Sequence, residues 1–329
     1  MSGFPLVSAV IATYNRAFIV CEAIDSILDQ SCKSIEVIVV DDGSTDDTQE
    51  KLKQYGDRIR VVYQANSGPA AGWNRGIRES RGGIVAFLGS DDIWLPTFVE
   101  RQVSILERAG KQVPCSLSNS WLRFASGPEK TSFQHAWLFP AHEEGIWLNV
   151  AEILATRFVL FGQSVAIRRW ALEAAGGFDE SLWYLEDYDL ALRLSLLGPW
   201  AFIGEPLVRW HQGSPGSLSQ EAHREKLVLQ QNAIKIRETI LSTLSNVDRT
   251  ITLKRLMRRE LNRSRRELWA ARLSRRAFPG AAVLGSLFER VEHYRGAIVD
   301  RSPWFPKMKT APVPHETAGP SSSCAEFRF

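Results

Sequence analysis

Through the first hundred residues, short apolar runs alternate with stretches whose apolar residues recur at helical spacing. "LVSAVI" (6–11) reads as a strand, and after "ATYNR" the residues Val20, Ala23, Ile24, Ile27 and Leu28 fall on one helix face. "IEVIVV" (35–40) is nearly all apolar. "DDGST" then turns the chain, and Thr48, Leu52 and Tyr55 mark a second helix with Ser44 expected at its N-cap. "IRVVYQ" (59–64) leads through "NSGPA" into a third helix near 69–80, and "IVAFLGS" (84–90) precedes a fourth opened by Pro96. Strands without polar alternation require both faces covered, as in a parallel sheet. The pattern predicts an open α/β sheet, in which ligands lie outside the carboxyl ends of the strands.

Beyond Val113 the pattern loosens. Aromatics and "HAWLFPAHEEG" (135–145) read as long loops around a strand or two. "GQSVAI" (162–167) resumes a strand, and "RRWALEAAGGFDE" (168–180) gives a short helix ended by Gly176 and Gly177. A further helix is expected over 188–198, with Leu190, Leu194 and Leu197 on one side. "PLVRWHQGSPGSLS" (206–219) supplies a last strand and a Gly/Ser-rich loop. The expected organisation is a compact domain at 1–219, a helical, basic extension at 220–301, and a Pro- and Ser-rich tail at 302–329 that reads as disordered.

At 329 residues, 44% hydrophobic and 23% charged, the chain has globular proportions. No run approaches the roughly 20 apolar residues that cross a bilayer, and the first residues lack a basic-then-apolar leader, so the expected location is cytoplasmic. Cys21, Cys32, Cys115 and Cys324 have neither metal-site spacing nor the density of a disulfide framework, and read as reduced thiols. The formal charge is +3, yet residues 251–276 carry ten Lys/Arg against two Glu, which leaves the rest of the chain net negative. The charge segregation assigns the C-terminal part a separate role.

Two acid pairs follow strands: Asp41–Asp42 in "VVDDGST" and Asp91–Asp92 in "FLGSDDIWLP". Carboxylates at adjacent strand ends suit a hard divalent cation, and a cation there suits a phosphate-bearing ligand. Acids after strands also serve as caps and turn formers; two such pairs on neighbouring strands favour the binding reading. A phosphatase loop of the haloacid-dehalogenase type would need Asp where Val40 stands. Neither a Walker A lysine loop nor a G-x-G-x-x-G turn is present.

The segments "VSAVIATYNRAFIVCEAIDSILDQS", "IEVIVVDDGSTDDT", "NSGPAAGWNRGI", "IVAFLGSDDIWLP" and "GGFDESLWYLEDYDLALRL", followed by the His of "RWHQGSPGSLS", occur in an order that resembles the family 2 glycosyltransferases. These are inverting, nucleotide-sugar-dependent enzymes. The resemblance spans about 5–219 and implies the GT-A fold, an open, mixed, mostly parallel sheet flanked by helices, here with a C-terminal helical extension. It implies donor binding by Thr13, Tyr14, Asn15, Arg16, Asp41, Asp42 and Asp91. Tyr14 would lie against the nucleobase, Asp41 would accept a base N–H, and Asp91 would hold the ribose. For Asp42 and Ser44 a purely turn-shaping role stays open.

By the same likeness, Asp92 and His211 would hold Mn²⁺ or Mg²⁺. For His211 a metal ligand or a phosphate contact, made as the loop containing Gly213, Ser214, Gly216 and Ser217 closes, stand side by side with a structural role. Asp187 would be the general base, with Glu186 beside it to contact acceptor or donor sugar. At a helix N-terminus, Asp187 is expected to have a lowered pKa. The departures from the family pattern are Ser90, in place of a frequent first acid, and Trp73, where many relatives have Arg, with Arg75 near.

The reaction implied is transfer of a sugar from a UDP-, dTDP- or GDP-sugar to a hydroxyl of a glycan or lipid-linked glycan, as in polysaccharide biosynthesis for the cell envelope. A non-catalytic carbohydrate-binding or scaffold module of the same fold is the rival reading, and a nucleotidyltransferase a weaker one. Two roles are open for 251–276. Leu253, Leu256, Met257, Leu261 and Leu268 form a stripe suited to an anionic membrane surface at the inner face of the cytoplasmic membrane, while Glu260 and Glu267 within it suit packing on the domain. Nucleic acid is not expected as a partner, because only Trp269 could stack.

Overall fold

In the computed structural model, residues 5–123, 129–211, 218, 225–244, 251–274 and 306–314 are described. The first half alternates strand and helix as the sequence pattern predicts. β1 (Val7–Thr13), β2 (Ile35–Asp41), β3 (Arg60–Tyr63) and β4 (Ile84–Gly89) are separated by α1 (Val20–Leu28), α2 (Thr48–Lys53) and α3 (Pro69–Glu79), and α4 (Phe98–Ala109) follows β5 (Ile93–Trp94). Ser44 does not cap α2. The cap position is Asp47, and Ser44 Oγ instead accepts the backbone N–H of Asn15 at 2.9 Å.

Next come β6 (Cys115–Arg123), β7 (Lys130–Thr131), α5 (Ser132–His135), β8 (Glu144–Trp147), α6 (Val150–Thr156), β9 (Val165–Arg168) and α7 (Arg169–Ala175). The region expected to be mostly loop thus holds α5, whose Thr131–Gln134 capping box satisfies two helix-end donors. α7 ends at Gly176 in the left-handed conformation, as the Gly pair predicts. α8 (Glu186–Ser195), β10 (Trp200–His211), α9 (Lys226–Thr243), α10 (Ile251–Ser274) and β11 (Thr310–Ala311) complete the order.

One sheet organises the molecule, with strand order β11-β8-β10-β6-β9-β4-β1-β2-β3. β1 pairs in parallel with β2 and β4, while β9 inserts antiparallel between β4 and β6. β1 shows why both faces are apolar: Val10 points into one core layer with Phe87 and Trp200, while Ala9 and Ile11 point into the other with Ile24 and Phe98. Helices cover both faces, which removes roughly 25 cal/mol of unfavourable hydration per Å² of apolar surface they bury.

The tail reading needs correction in part. Thr310 and Ala311 pair antiparallel with Trp147 and Ile146, and Val313 is buried, so this short piece closes the β8 edge of the sheet. Residues 302–305 and 315–329 lie outside the described residues. In the extension, Leu253, Leu256 and Met257 are buried in the core layer that also holds Ile236, Ile240 and Ile153, and Leu261 is buried as well. Packing on the domain therefore uses the apolar stripe of α10. Glu260 is accommodated in that face by Arg259 at 3.0 Å and Arg263 at 3.6 Å.

Candidate active site

The loops after β1 and β2 are stitched together by short polar side chains. Asn15 sits in the left-handed region at φ 53°, where Asn is tolerated. Its Oδ1 accepts from Thr45 N at 2.7 Å and Asp46 N at 3.3 Å, and Arg16 N donates to Thr48 Oγ1 at 2.9 Å. These bonds hold Tyr14, 45% exposed, and Arg16 on the wall of a cleft of about 290 Å³ at the carboxyl edge of the sheet. Asn15 acts here through the loop it folds.

The acid pair after β2 divides its tasks. Asp42 borders the cleft, but both its oxygens are engaged: Oδ1 accepts from Gln64 Nε2 and Ser67 N, and Oδ2 from Gly68 N at 2.9 Å. It fixes the β3–α3 loop. Asp41 is fully buried behind the cleft, with Oδ1 taken by Ser44 N at 3.0 Å. Its Oδ2 and the Oγ1 of Thr13, its register partner on β1, are buried polar atoms without a hydrogen-bond partner. Such atoms are costly unless something donates to them.

The pair after β4 divides differently. Asp91 lines the cleft, whereas Asp92 is only 3% exposed and its Oδ1 accepts the backbone N–H of His211 at 3.0 Å. β5 pairing with β10, Ile93 opposite Arg209, brings the two together. Gly89 permits it, because a Cβ there would stand 2.6 Å from Asp92 Oδ2. Burial and the charge of Asp91 push the Asp92 carboxyl well above the usual range. Asp92 thus differs from its expected place: the acid that faces the cleft is Asp91.

His211 also lines the cleft, and its Nδ1 lies 2.7 Å from the Asp91 carbonyl oxygen. A carbonyl can only accept, so Nδ1 carries a proton, and in the neutral ring Nε2 presents its lone pair. Asp91 and His211 are a donor set of one carboxylate and one imidazole. Among the described residues no group of three or more His, Cys, Asp or Glu could hold a metal. These two side chains could hold a hard divalent cation such as Mn²⁺ or Mg²⁺ only with further oxygen ligands from outside the protein. The Gly/Ser loop at 212–217, expected to close on the site, lies outside the described residues.

A second cavity, about 490 Å³, adjoins the first, and Trp183, Glu186, Trp210 and Leu218 belong to both walls. Asp187 lines this second one and not the first, and the lining of the second is mostly apolar. The acids stand at the start of α8 behind Leu185, a non-glycine residue at φ 66°. Burial pushes the Glu186 carboxyl up to about 8, with the charge of Asp187 adding to it. Asp187 is raised as well: burial outweighs the backbone N–H groups of Tyr188 and Gly162 that stabilise its charge. That reverses the lowering expected from the helix N-terminus.

Sequence reasoning missed Trp183 and Trp210, the aromatic walls shared by the two cavities. "SLWYLED" held the only hint, an aromatic pair just before the acids. Trp183 packs on Gly68, where a Cβ would meet its ring at 2.8 Å. Trp73 lies against Phe87 at 5.5 Å and Phe178 at 6.3 Å and adds an apolar wall to the first cleft. Arg75 pairs with Glu79 at 2.9 Å on the surface of α3 and does not line the cleft.

Residues 8–141 match the family described as Glycosyl transferase family 2. An uncharacterized glycosyltransferase of Rickettsia prowazekii is 32% identical over 209 residues, which cover 62% of this chain and 63% of that one. The chain spans from about a third to just under two thirds of the length of the curated relatives it matches. The structure of S. aureus TarS 1-349 in complex with UDP-GlcNAc is similar with a TM-score of 0.61 at 18% identity, covering 88% of this chain and 79% of that one. The mannosyltransferase PcManGT from Pyrobaculum calidifontis, in complex with GDP-Man and Mn²⁺, gives a TM-score of 0.56 at 18% identity, covering 91% and 84%. At such identities the likeness to both concerns the fold.

Proposed function

The chain belongs to glycosyltransferase family 2, and we propose from that premise that it moves a sugar, with inversion, from a nucleoside-diphosphate sugar to an acceptor hydroxyl. One observation carries the reading: two cavities meet at Glu186, one presenting Asp91 and His211, the other presenting Asp187. An in-line displacement needs this division, with the leaving diphosphate on one side of the sugar and the nucleophile and its base on the other.

In the first cleft, Tyr14 stacks on the nucleobase, Asp41 Oδ2 and Thr13 Oγ1 take donors from the nucleoside, and Arg16 faces the anionic part of the donor. Asp91 and His211 Nε2 would hold the cation; when bound, Mn²⁺ or Mg²⁺ neutralises charge on the departing diphosphate. Asp92 keeps His211 in place. In the second cavity, Asp187 takes the proton of the attacking hydroxyl at a carboxylate oxygen. Its raised affinity for protons, the result of burial, makes it a stronger base than a solvated Asp. Glu186, protonated at neutral pH, donates a hydrogen bond to the sugar between the two cavities. The apolar walls exclude water, which would otherwise compete with the acceptor.

The acceptor we favour is a glycan or lipid-linked glycan. No helix among the described residues is long and apolar enough to cross a membrane. Because α10 buries its apolar stripe, contact with an anionic membrane would be electrostatic, through its outward arginines. The test is nucleotide release from UDP-, dTDP- and GDP-sugars with Mn²⁺, with and without acceptor sugars. Metal-dependent release with one donor supports transfer. Binding of the nucleotide with no turnover for any donor would point to a carbohydrate-binding module, and pyrophosphate release to nucleotidyl transfer.

A further inference from the structure

A third cavity, about 380 Å³, lies where the C-terminal helices meet the catalytic domain. It adjoins the chamber of Asp187: His135, Ala136, Phe158, Leu185 and Leu229 line both. Its chemistry is unlike that of its neighbour. Three guanidinium groups, Arg157, Arg237 and Arg263, face two carboxylates, Glu260 and Glu267.

The carboxylates are already matched. Glu260 pairs with Arg259 at 3.0 Å and Arg263 at 3.6 Å, and Glu267 with Arg263 Nε at 2.9 Å and with Gln230 Nε2 at 2.8 Å. Arg237 is different. Its side chain donates to neutral oxygens, Ala233 O at 3.1 Å, Ser264 Oγ at 3.2 Å and the Tyr188 hydroxyl, and its Nε is buried without a hydrogen-bond partner. Among the described residues no carboxylate is paired with it. A guanidinium in a cavity, ion-paired with no carboxylate among the described residues and with a donor unspent, is a site for an anion, and its planar fork matches phosphate oxygens.

Arg237 is also tied to the catalytic centre. Its guanidinium carbon lies 5.8 Å over the ring of Tyr188, the residue after Asp187, and Tyr188 OH is anchored on Leu154 O at 2.6 Å. An anion held by Arg237 is therefore at a fixed place relative to the base. A sugar attached to that anion would lie in the intervening chamber, against Trp183, Trp210 and Phe158, whose rings suit the C–H faces of a pyranose.

We infer that this third cavity binds a phosphate group of the acceptor, so that the acceptor is a phosphorylated saccharide rather than a neutral one. The inference rests on the glycosyltransferase reading for the direction of the substrate, and adds a binding site to it. Phosphate is preferred to carboxylate because it offers more oxygens to guanidinium groups arranged around one cavity.

The test uses the full chain and α-glucose 1-phosphate as probe. UDP with Mn²⁺ is first shown to raise the melting temperature, which tests the donor cleft alone. With UDP and Mn²⁺ kept saturating, α-glucose 1-phosphate should then slow phenylglyoxal modification of Arg237 by roughly fivefold or more, read by peptide mass spectrometry, while exposed Arg258 reacts unchanged. Arg237→Gln should weaken binding of the probe roughly tenfold or more and leave the UDP response intact. Methyl α-glucoside should give no protection. A UDP response with no protection of Arg237 overturns the inference while sparing the glycosyltransferase reading. Protection without a UDP response does the reverse. Equal protection by glucuronate overturns the assignment of phosphate. Should Arg237→Gln fail to fold, the protection measured on the unaltered chain decides.

Discussion

The backbone N–H of His211 donates to Asp92 Oδ1 at 3.0 Å, and through this bond the acid after β4 fastens the end of β10. Two adjacent acids thus do unlike work: Asp92 is inside, and Asp91 is in the cleft. Asp92→Ala is expected to cost about 1–3 kcal/mol of stability, because it orphans a part-buried N–H. Asp91→Asn should leave stability within about 0.5 kcal/mol and abolish Mn²⁺-dependent binding of the nucleotide. Urea unfolding and a nucleotide titration with and without Mn²⁺ separate the two effects; equal loss of metal dependence in a folded Asp92→Asn protein would return the metal to Asp92.

Asp187→Asn should lower turnover about 10²–10⁴-fold while nucleotide affinity stays within about threefold, since Asp187 lines the second cavity and not the first. Stopped assays of nucleotide release and equilibrium dialysis measure the two quantities. Unchanged turnover would assign the base elsewhere.

Glu186 titrates at about 8 in the folded chain, far above a solvated Glu, because burial and the charge of Asp187 oppose its ionisation. Between the two values the folded state holds a proton that the unfolded state has lost, so stability falls as pH rises through that window. Glu186→Gln removes the titration. The variant should match the unaltered chain near pH 4 and exceed it at pH 9 by an amount on the order of a few kcal/mol. Melting curves across pH 4–9 check this, and parallel curves for the two proteins would contradict the burial argument.

Gly76 of α3 faces Val10 of β1 so closely that a Cβ would stand 2.1 Å from Val10 Cγ1. Gly76→Ala should destabilise the chain by about 1–3 kcal/mol through overpacking. Adding Val10→Ala should recover part of that loss, a coupling that a double-mutant cycle measures directly.

Met257 is fully buried between α10 and the domain. Met257→Ala is expected to cost about 2–5 kcal/mol, measured by urea unfolding. Surface substitutions such as Arg258→Ala should stay within about 0.5 kcal/mol. Similar small effects for both would mean that α10 does not pack on the domain in solution.

By itself the sequence determined the β1–α4 alternation, since a parallel sheet covered on both faces writes its strands as unbroken apolar runs and its helices as apolar stripes. It also determined which loops carry the acids, because polar residues placed after such runs can only emerge at the sheet edge. Tertiary structure decided which acid of each pair borders the cleft: Asp41 and Asp42, like Asp91 and Asp92, are neighbours in the chain, and contacts from elsewhere set their places, Gly68 N holding Asp42 at the cleft wall and His211 N holding Asp92 inside. It likewise decided the proton affinity of Asp187, where burial by distant residues outweighs the local helix end. The role of α10 was settled by the same cause, for an amphipathic stripe specifies an apolar partner without saying which one, and here that partner is the layer of α6 and α9.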